Sequence, residues 1–183
     1  MSTTVWLISD THFDHANILN FKKDNGQPMR QFCSVDDMNW TIINRWNKLV
    51  QPNDHVYHLG DVAMKKSGVE LMMHCNGKHR LVRGNHDIAG DTKYYMRFFQ
   101  EIYGVRVFDD LILSHIPLHP ESVKDKWVNV HGHIHNNKPP HHFGPKYFNL
   151  SCEYTNYTPV TLEQVRKAIK GGKYIVEEAW HAH

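Results

Sequence analysis

Cysteine is scarce in this chain, and its spacing suits none of the usual structural roles. The three, Cys33, Cys75 and Cys152, are odd in number and form no Cys-x-x-Cys pair, which argues against a disulfide framework and against a zinc ribbon. They are expected to act as small, mostly buried apolar residues in a reducing compartment. Charge of one sign is lacking as well. Lysine and arginine total 21 against 19 aspartates and glutamates, and the resulting +2 demands neither a nucleic-acid nor a membrane partner. No apolar run approaches the ~20 residues needed to cross a bilayer. The segment Met1–Trp6 shows neither the basic start nor the apolar stretch of a signal peptide, so a cytoplasmic location is expected.

What the chain has in excess is histidine, 16 in 183 residues, with only His181 and His183 attributable to a histidine-rich end. Histidine is the commonest metal ligand and the side chain that titrates nearest neutrality. The length suits one domain, and 40% hydrophobic residues are ordinary for a globular one.

Short apolar runs alternate with helical patterns and no repeat is visible, which predicts one α/β domain. Val5–Ser9, His55–Leu59, Arg80–Arg83, Val105–Phe108, Leu111–Ser114, Val128–His131 and Phe148–Ser151 read as strands, with a hairpin about Asp109-Asp110. Val35, Met38, Ile42, Trp46 and Leu49 recur at helical spacing behind Ser34 as N-cap. Further helices are expected over Ser67–Cys75, from Thr92 to Tyr103, and after the capping box Thr161–Gln164 up to Gly171-Gly172. Lys173–Glu177 is a candidate closing strand, and Pro139–Pro145 is an irregular loop.

Almost every strand runs into a polar cluster: Asp10-Thr11-His12, Gly60-Asp61, Gly84-Asn85-His86-Asp87, His115, and Gly132-His133-Ile134-His135. Asp10 and His12, two apart at a strand end, can share an ion. The carbonyl of Asn85 is a hard oxygen ligand, and His86 beside it is free to act as an acid or electrostatic stabiliser. His133 and His135 set two imidazoles on one side of an extended segment. Each cluster alone suits a solvated turn. Together they place oxygen and nitrogen donors where they converge, and the reading is a two-metal site for hydrolysing phosphate esters.

The order D-x-H, G-D, G-N-H-D, H, G-H-x-H resembles the calcineurin-like metallophosphoesterase superfamily. Leu59–Ala63 and Leu113–Leu118 resemble its small, single-domain bacterial and phage members. That resemblance implies a four-layer sandwich of two mixed β-sheets flanked by helices, with residues 1–183 as one domain and no separate cap. It implies that Asp10, His12 and His135 bind a first divalent ion, that Asn85, His115 and His133 bind a second, and that Asp61 bridges them. Manganese leads the candidates, with iron, nickel, cobalt and zinc as alternatives. A metal-bridging hydroxide would attack phosphorus in line. His86 would protonate the leaving oxygen, and Asp87 would orient His86 or hold the turn. Members whose iron is bound by tyrosine carry it three positions after the bridging aspartate. Here that position is Met64, so no tyrosinate colour is expected.

His15, Asn17 and Arg30 fall where a substrate phosphate would be contacted, or else they hold the loop around them. Trp40, Trp46, Tyr94 and Tyr95 have the spacing of core aromatics, and Lys22-Lys23 and Lys65-Lys66 are too few for a nucleic-acid stripe. The expected activity is phosphodiester or phosphomonoester hydrolysis on a small-molecule substrate. A nuclease and a silent metal-binding scaffold of the same fold stand as alternatives, and oligomeric state is left open.

Overall fold

The computed structural model describes residues 3–23, 25–124, 126–137 and 144–172. In chain order these form β1 (Val5–Ile8), α1 (Val35–Leu49), β2 (His55–His58), α2 (Lys66–Glu70), β3 (Lys78–Val82) and α3 (Thr92–Tyr95). There follow β4 (Glu101–Tyr103), β5 (Val105–Phe108), β6 (Leu111–Ser114), β7 (Val128–His131), β8 (Tyr147–Asn149), β9 (Val160–Thr161) and α4 (Leu162–Gly171). The strands build two mixed sheets, ordered β4-β3-β2-β1-β9 and β5-β6-β7-β8. β1 to β4 are parallel, with Leu7 opposite Tyr57 and Leu81 opposite Ile102, and β9 returns antiparallel to β1. In the second sheet β5 and β6 form the expected antiparallel hairpin, while β7 and β8 add in parallel.

Period-two alternation decides which residue faces which layer. Leu7, Tyr57 and Val82 pack against Leu113, Val130 and Phe148, so the sheets share one apolar layer. Their neighbours Ile8, Val56 and Leu81 face the other way, onto Met38, Ile42, Ile43 and Trp46 of α1. The result is a two-sheet α/β sandwich with helices on the outer face of the first sheet. On the outer face of the second, Leu118 N–H donates to Asn129 Oδ1 and Tyr147 Oη to the Leu118 carbonyl, holding a loop there. α4 closes the sheet–sheet layer through Val165, Ala168 and Ile169.

α1 starts where the sequence predicts, with Ser34 Oγ accepting from Asp37 N–H and Asp36 and Asp37 in its first turn, favourable to the helix dipole. α4 has its capping box, Thr161 and Gln164 each satisfying the other's backbone N–H.

Two elements differ from expectation. The helix predicted over Thr92–Tyr103 stops at Tyr95, and Glu101–Tyr103 instead pairs with β3, Arg80 opposite Glu101. Extending the parallel sheet gives that segment's N–H and C=O groups partners, which outweighs a weak helical pattern. β9 is two residues long and leaves no periodic signal. Cys75 and Cys152 are buried as expected, whereas Cys33 is exposed. Lys173–Glu177 and most of the Pro139–Pro145 loop lie outside the described residues.

One buried carboxylate locks the corner where β1 and β2 begin. Asp54 accepts from Thr4 N–H, Trp6 Nε1 and Gln51 N–H, each at 2.9 Å. Asp54→Asn replaces an acceptor by a donor and should lower stability by about 1–3 kcal/mol. Urea denaturation would read this as a shifted midpoint at constant slope, and an unchanged midpoint would show that the cluster adds nothing net.

Candidate metal centre

The parallel strands β1, β2 and β3 of one sheet and β6 and β7 of the other all end at the same edge of the sandwich, where every polar cluster lies. The loop after β1 is docked on the loop after β2 by backbone bonds: Asp10 N–H donates to Gly60 O, His12 N–H to Asp61 O and Phe13 N–H to Val62 O. The β7 loop is docked on the β1 loop, His133 N–H donating to both oxygens of the Asp10 carboxylate at 3.0 and 3.2 Å.

These loops turn in a sterically costly way. Asp10, His12, Asp61, His133 and His135 have φ of +59°, +49°, +53°, +72° and +49°, all in the left-handed region. Such backbone costs about 1–2 kcal/mol per residue for non-glycine residues and concentrates at functional sites. Two glycines make the close approach possible. A Cβ on Gly84 would run into Asp61, and one on Gly132 into Ser9 Oγ and the Asp10 carboxylate.

Six side chains form two groups of three. Asp10, His12 and His135 offer ligand atoms within 4.8 Å of one another, and so do Asp61, His115 and His133. Asp61 Oδ2 lies between them, 3.5 Å from His12 Nε2 and 3.3 Å from His115 Nε2. The exposed Asn85 brings its Oδ1 to 2.9 Å from His115 Nε2, joining the second group.

The donor set fits two cations. Both ring nitrogens of His12 are buried without a hydrogen-bond partner, an arrangement that is expensive unless a ligand takes the lone pair. Burial first, and then the nearby Arg30 charge, hold this imidazole well below the usual histidine range, hence neutral. Burial opposes ionisation of Asp61, but the hydrogen bond and charge of His115 outweigh it and keep Asp61 below the usual carboxylate range. Burial likewise opposes a charged His115, and the Asp61 and Asp10 carboxylates reverse that and raise it to about 9. The donors are oxygen and imidazole nitrogen, without thiolate, which suits a borderline transition-metal ion.

Around the ligands stands a supporting layer. Asp87 Oδ2 accepts from Asp61 N–H (2.9 Å) and Gly84 N–H (2.8 Å), and its Oδ1 from Val62 N–H (2.8 Å). Of the two roles expected for Asp87, its carboxylate takes that of holding the turn: its acceptors serve the backbone of the Asp61 and Asn85 loops, and orienting His86 is not among its contacts. His58, buried and pushed down to about 3 by desolvation, accepts from Gly60 N–H through Nδ1. Its Nε2 therefore donates to Thr11 Oγ1, which itself donates to Val62 O.

Of the two roles expected for Arg30, its side chain takes that of holding the loop. Its side chain is fully buried, with Nη1 donating to Thr11 O (2.9 Å), Nη2 to Asp10 O (2.5 Å) and Nε to Glu153 (2.8 Å). A guanidinium so engaged cannot reach a substrate, and it fixes the first ligand loop instead. The half-buried His15 ring lies 5.4 Å from that of His12, whereas Asn17 is exposed and outside the ligand groups. The half-buried His86 ring lies 5.7 Å from His12, its backbone N–H donating to Asp61 Oδ1 at 2.9 Å.

Glu153 is the residue that sequence reasoning missed. Its Oε1 meets His135 Nδ1 at 3.0 Å and Arg30 Nη2 at 2.7 Å, and its side chain is 3% exposed. Burial opposes its charge, but Arg30 and then His135 hold it down to about 2. Nothing around Ser151-Cys152-Glu153 signals this from sequence, since a lone glutamate in a polar stretch is ordinarily solvated.

No protein-family model matches the chain. It is 36% identical over 180 residues to the uncharacterized protein MJ1445 of Methanocaldococcus jannaschii, spanning 93% of this chain and 94% of that one, and the two belong to one family. Among solved structures, the protein of unknown function AQ665 from Aquifex aeolicus superposes with a TM-score of 0.66 at 24% identity, covering 91% of this chain and 99% of that one. That likeness establishes the shared fold. A Pseudomonas putida nuclease, MPE, matches more loosely, with a TM-score of 0.47 and 21% identity over 72% of this chain and 61% of that one, too distant to bear on activity.

Gly132→Ala tests the docking of the β7 loop. The added methyl group should push His133 and His135 off the Asp10 carboxylate and cost about 1–3 kcal/mol. Metal analysis after loading and desalting should give less than half the wild-type content in a protein that still melts cooperatively. Wild-type metal content would contradict the proposed contact.

Proposed function

We propose that this protein is a metal-dependent phosphoesterase of the calcineurin-like type, built as one domain without a cap. The observation that carries the reading is the position of Asp61 Oδ2 within 3.5 Å of both His12 Nε2 and His115 Nε2, the place of a bridging carboxylate. Asp10, His12 and His135 would hold one divalent ion, Asn85, His115 and His133 the other, with Asp61 shared. Manganese is the first choice and iron, nickel, cobalt or zinc the alternatives. Bound there, two such ions would supply an acidified water as nucleophile and neutralise the phosphate oxygens.

The chain's own groups do the rest. The ligand loops, fixed through Arg30, His58 and Asp87, present their donors preorganised, so little rearrangement accompanies substrate binding. His86 lies outside both ligand groups, half-exposed and anchored through its backbone, and among the described residues its ring has no hydrogen bond, so it would meet an oxygen of the ester. There it would hold a proton for the leaving group. His15, whose ring lies 5.4 Å from that of His12, would contact a phosphate oxygen. The near-neutral charge of +2, and the single domain without a cap proposed here, favour a small phosphodiester or phosphomonoester over a polymer. A nuclease acting on short single strands is the second reading, favoured only by the openness of the rim around Asn85 and His86.

The deciding experiment supplies manganese, nickel, cobalt, zinc or iron to metal-free protein with aryl mono- and diesters, cyclic nucleotides, nucleotides, short RNA and a phosphopeptide. Full loading with no turnover on any of them would leave the scaffold reading in place.

Two variants divide the roles. Asp61→Asn should lose metal and activity together, and retained binding of two ions would count against a bridge. His86→Ala should keep both metals and slow esters with poor leaving groups ~10²–10⁴-fold while sparing good ones. Equal slowing of both ester types would remove His86 as the acid.

A further inference from the structure

The two ligand groups are backed by different chemistry. His115 and His135 both engage Nδ1 behind the site and so present Nε2 to it. Behind His115 stands a neutral group, the Leu59 carbonyl, at 2.8 Å. Behind His135 stands a full negative charge, Glu153 Oε1, at 3.0 Å. A carboxylate behind an imidazole makes it a more basic and better oriented ligand than a carbonyl does, and loss of such a partner commonly weakens metal binding about 10–100-fold.

The difference extends to the other ligands. Arg30, the partner of Glu153, donates to the carbonyls of Asp10 and Thr11, and so fixes the backbone that carries Asp10 and His12. The Arg30–Glu153 pair therefore supports Asp10, His12 and His135 together and makes no such contact with Asp61, His115 or His133. The charge of Arg30 itself would repel a cation across that loop, and Glu153 neutralises it.

The pair is not arranged as an ordinary structural ion pair, in which a guanidinium and both carboxylate oxygens meet side by side. Glu153 Oε1 takes Arg30 Nε, Arg30 Nη2 and His135. Oε2 has no donor among the described residues, and Glu153 borders a cavity of about 320 Å³ shared with Gln31, Phe32, Arg45, Asn136 and Tyr157. The direct ligands add to the imbalance. Asp10 is a carboxylate belonging to the first group alone, whereas the second has only the shared Asp61 and the exposed, neutral Asn85.

We infer that the two metal positions are unequal by construction: Glu153 and Arg30 are positioning residues that make the Asp10–His12–His135 position the tight one, filled first, and leave the Asp61–Asn85–His115–His133 position weaker and exchangeable. The inference rests on the two-metal reading above, which concerns whether ions bind, whereas this concerns their order.

The test titrates cobalt(II) into metal-free full-length protein, followed by visible absorption and by calorimetry. The wild type should fill in two steps at least about tenfold apart in affinity. Glu153→Gln should weaken the tight step about 10–100-fold, leave the weak step within a few-fold, and alter the absorption of the first ion bound. Glu153→Asp, which keeps the charge, should recover part of the loss. In a His135→Ala background, Glu153→Gln should add little.

Asn85→Asp, at an exposed position, gives the second group its own carboxylate and should tighten the weak step about tenfold. It decides the matter even if Glu153→Gln fails to fold. Equal steps in the wild type, both steps weakened alike by Glu153→Gln, or a weak step unmoved by Asn85→Asp would each overturn the inference. A wild type that binds no cobalt or other divalent ion would instead overturn the two-metal reading itself.

Discussion

Four carboxylates, Asp10, Asp61, Asp87 and Glu153, are buried around one edge of the sandwich, and the fixed cation that the described residues set among them is Arg30. Burying that much negative charge is prohibitive unless each carboxylate is met by a donor or a cation. Asp87 is met by three backbone N–H groups, Asp10 by the His133 N–H, and Glu153 by Arg30 and His135. Asp61 spends Oδ1 on the His86 N–H, and its Oδ2 faces two histidines. The geometry of every loop at this edge follows from the need to bring those donors inward.

Backbone conformation shows what that need demands. Five ligand residues sit in the left-handed region, and at about 1–2 kcal/mol each their combined strain is comparable with the whole net stability of a domain of this size. Regular structure does not impose such turns. They persist because the shared apolar layer and α1 hold the strands at fixed positions, so that the loops have no freedom to relax. Strain here buys direction, aiming side chains of adjacent loops at one point instead of at solvent.

The division between what was legible in the sequence and what was not follows the range of the interactions. Ser34, Thr161 and the Asp109-Asp110 hairpin act over a few residues, and each could be read locally. The candidate ligands converge for another reason: Asp10, His12, Asp61, Asn85, His115, His133 and His135 each follow a strand, and parallel strands bring their ends together without further information. Glu153 and Arg30 were not legible in this way. They are 123 residues apart in the chain, and their meaning arises only where their side chains meet behind His135. From sequence Arg30 could be either a phosphate contact or a residue holding its loop, and its burial among backbone carbonyls selects the second. The misplaced helix after Tyr95 has the same origin, since Glu101–Tyr103 is a strand only because β3 offers it an edge.

The same logic separates residues that do chemistry from residues that permit it. His58, Asp87 and Arg30 have their polar atoms committed to protein partners, and Glu153 commits its Oε1, which fixes the loops they hold. Among the described residues both His12 ring nitrogens lack a hydrogen-bond partner in the interior, and the His86 ring, 5.7 Å from that of His12, lies outside both ligand groups. An uncommitted buried lone pair suits a cation, and the rim imidazole is the group proposed above to hand a proton to what that cation would bind. On the reading proposed above, committed groups around two candidate metal positions, with an imidazole at the rim, would be an arrangement able to cleave a phosphate ester. In this fold, five strand ends supply the candidate ligands and His86, and Arg30 and Glu153 join them from elsewhere in the chain.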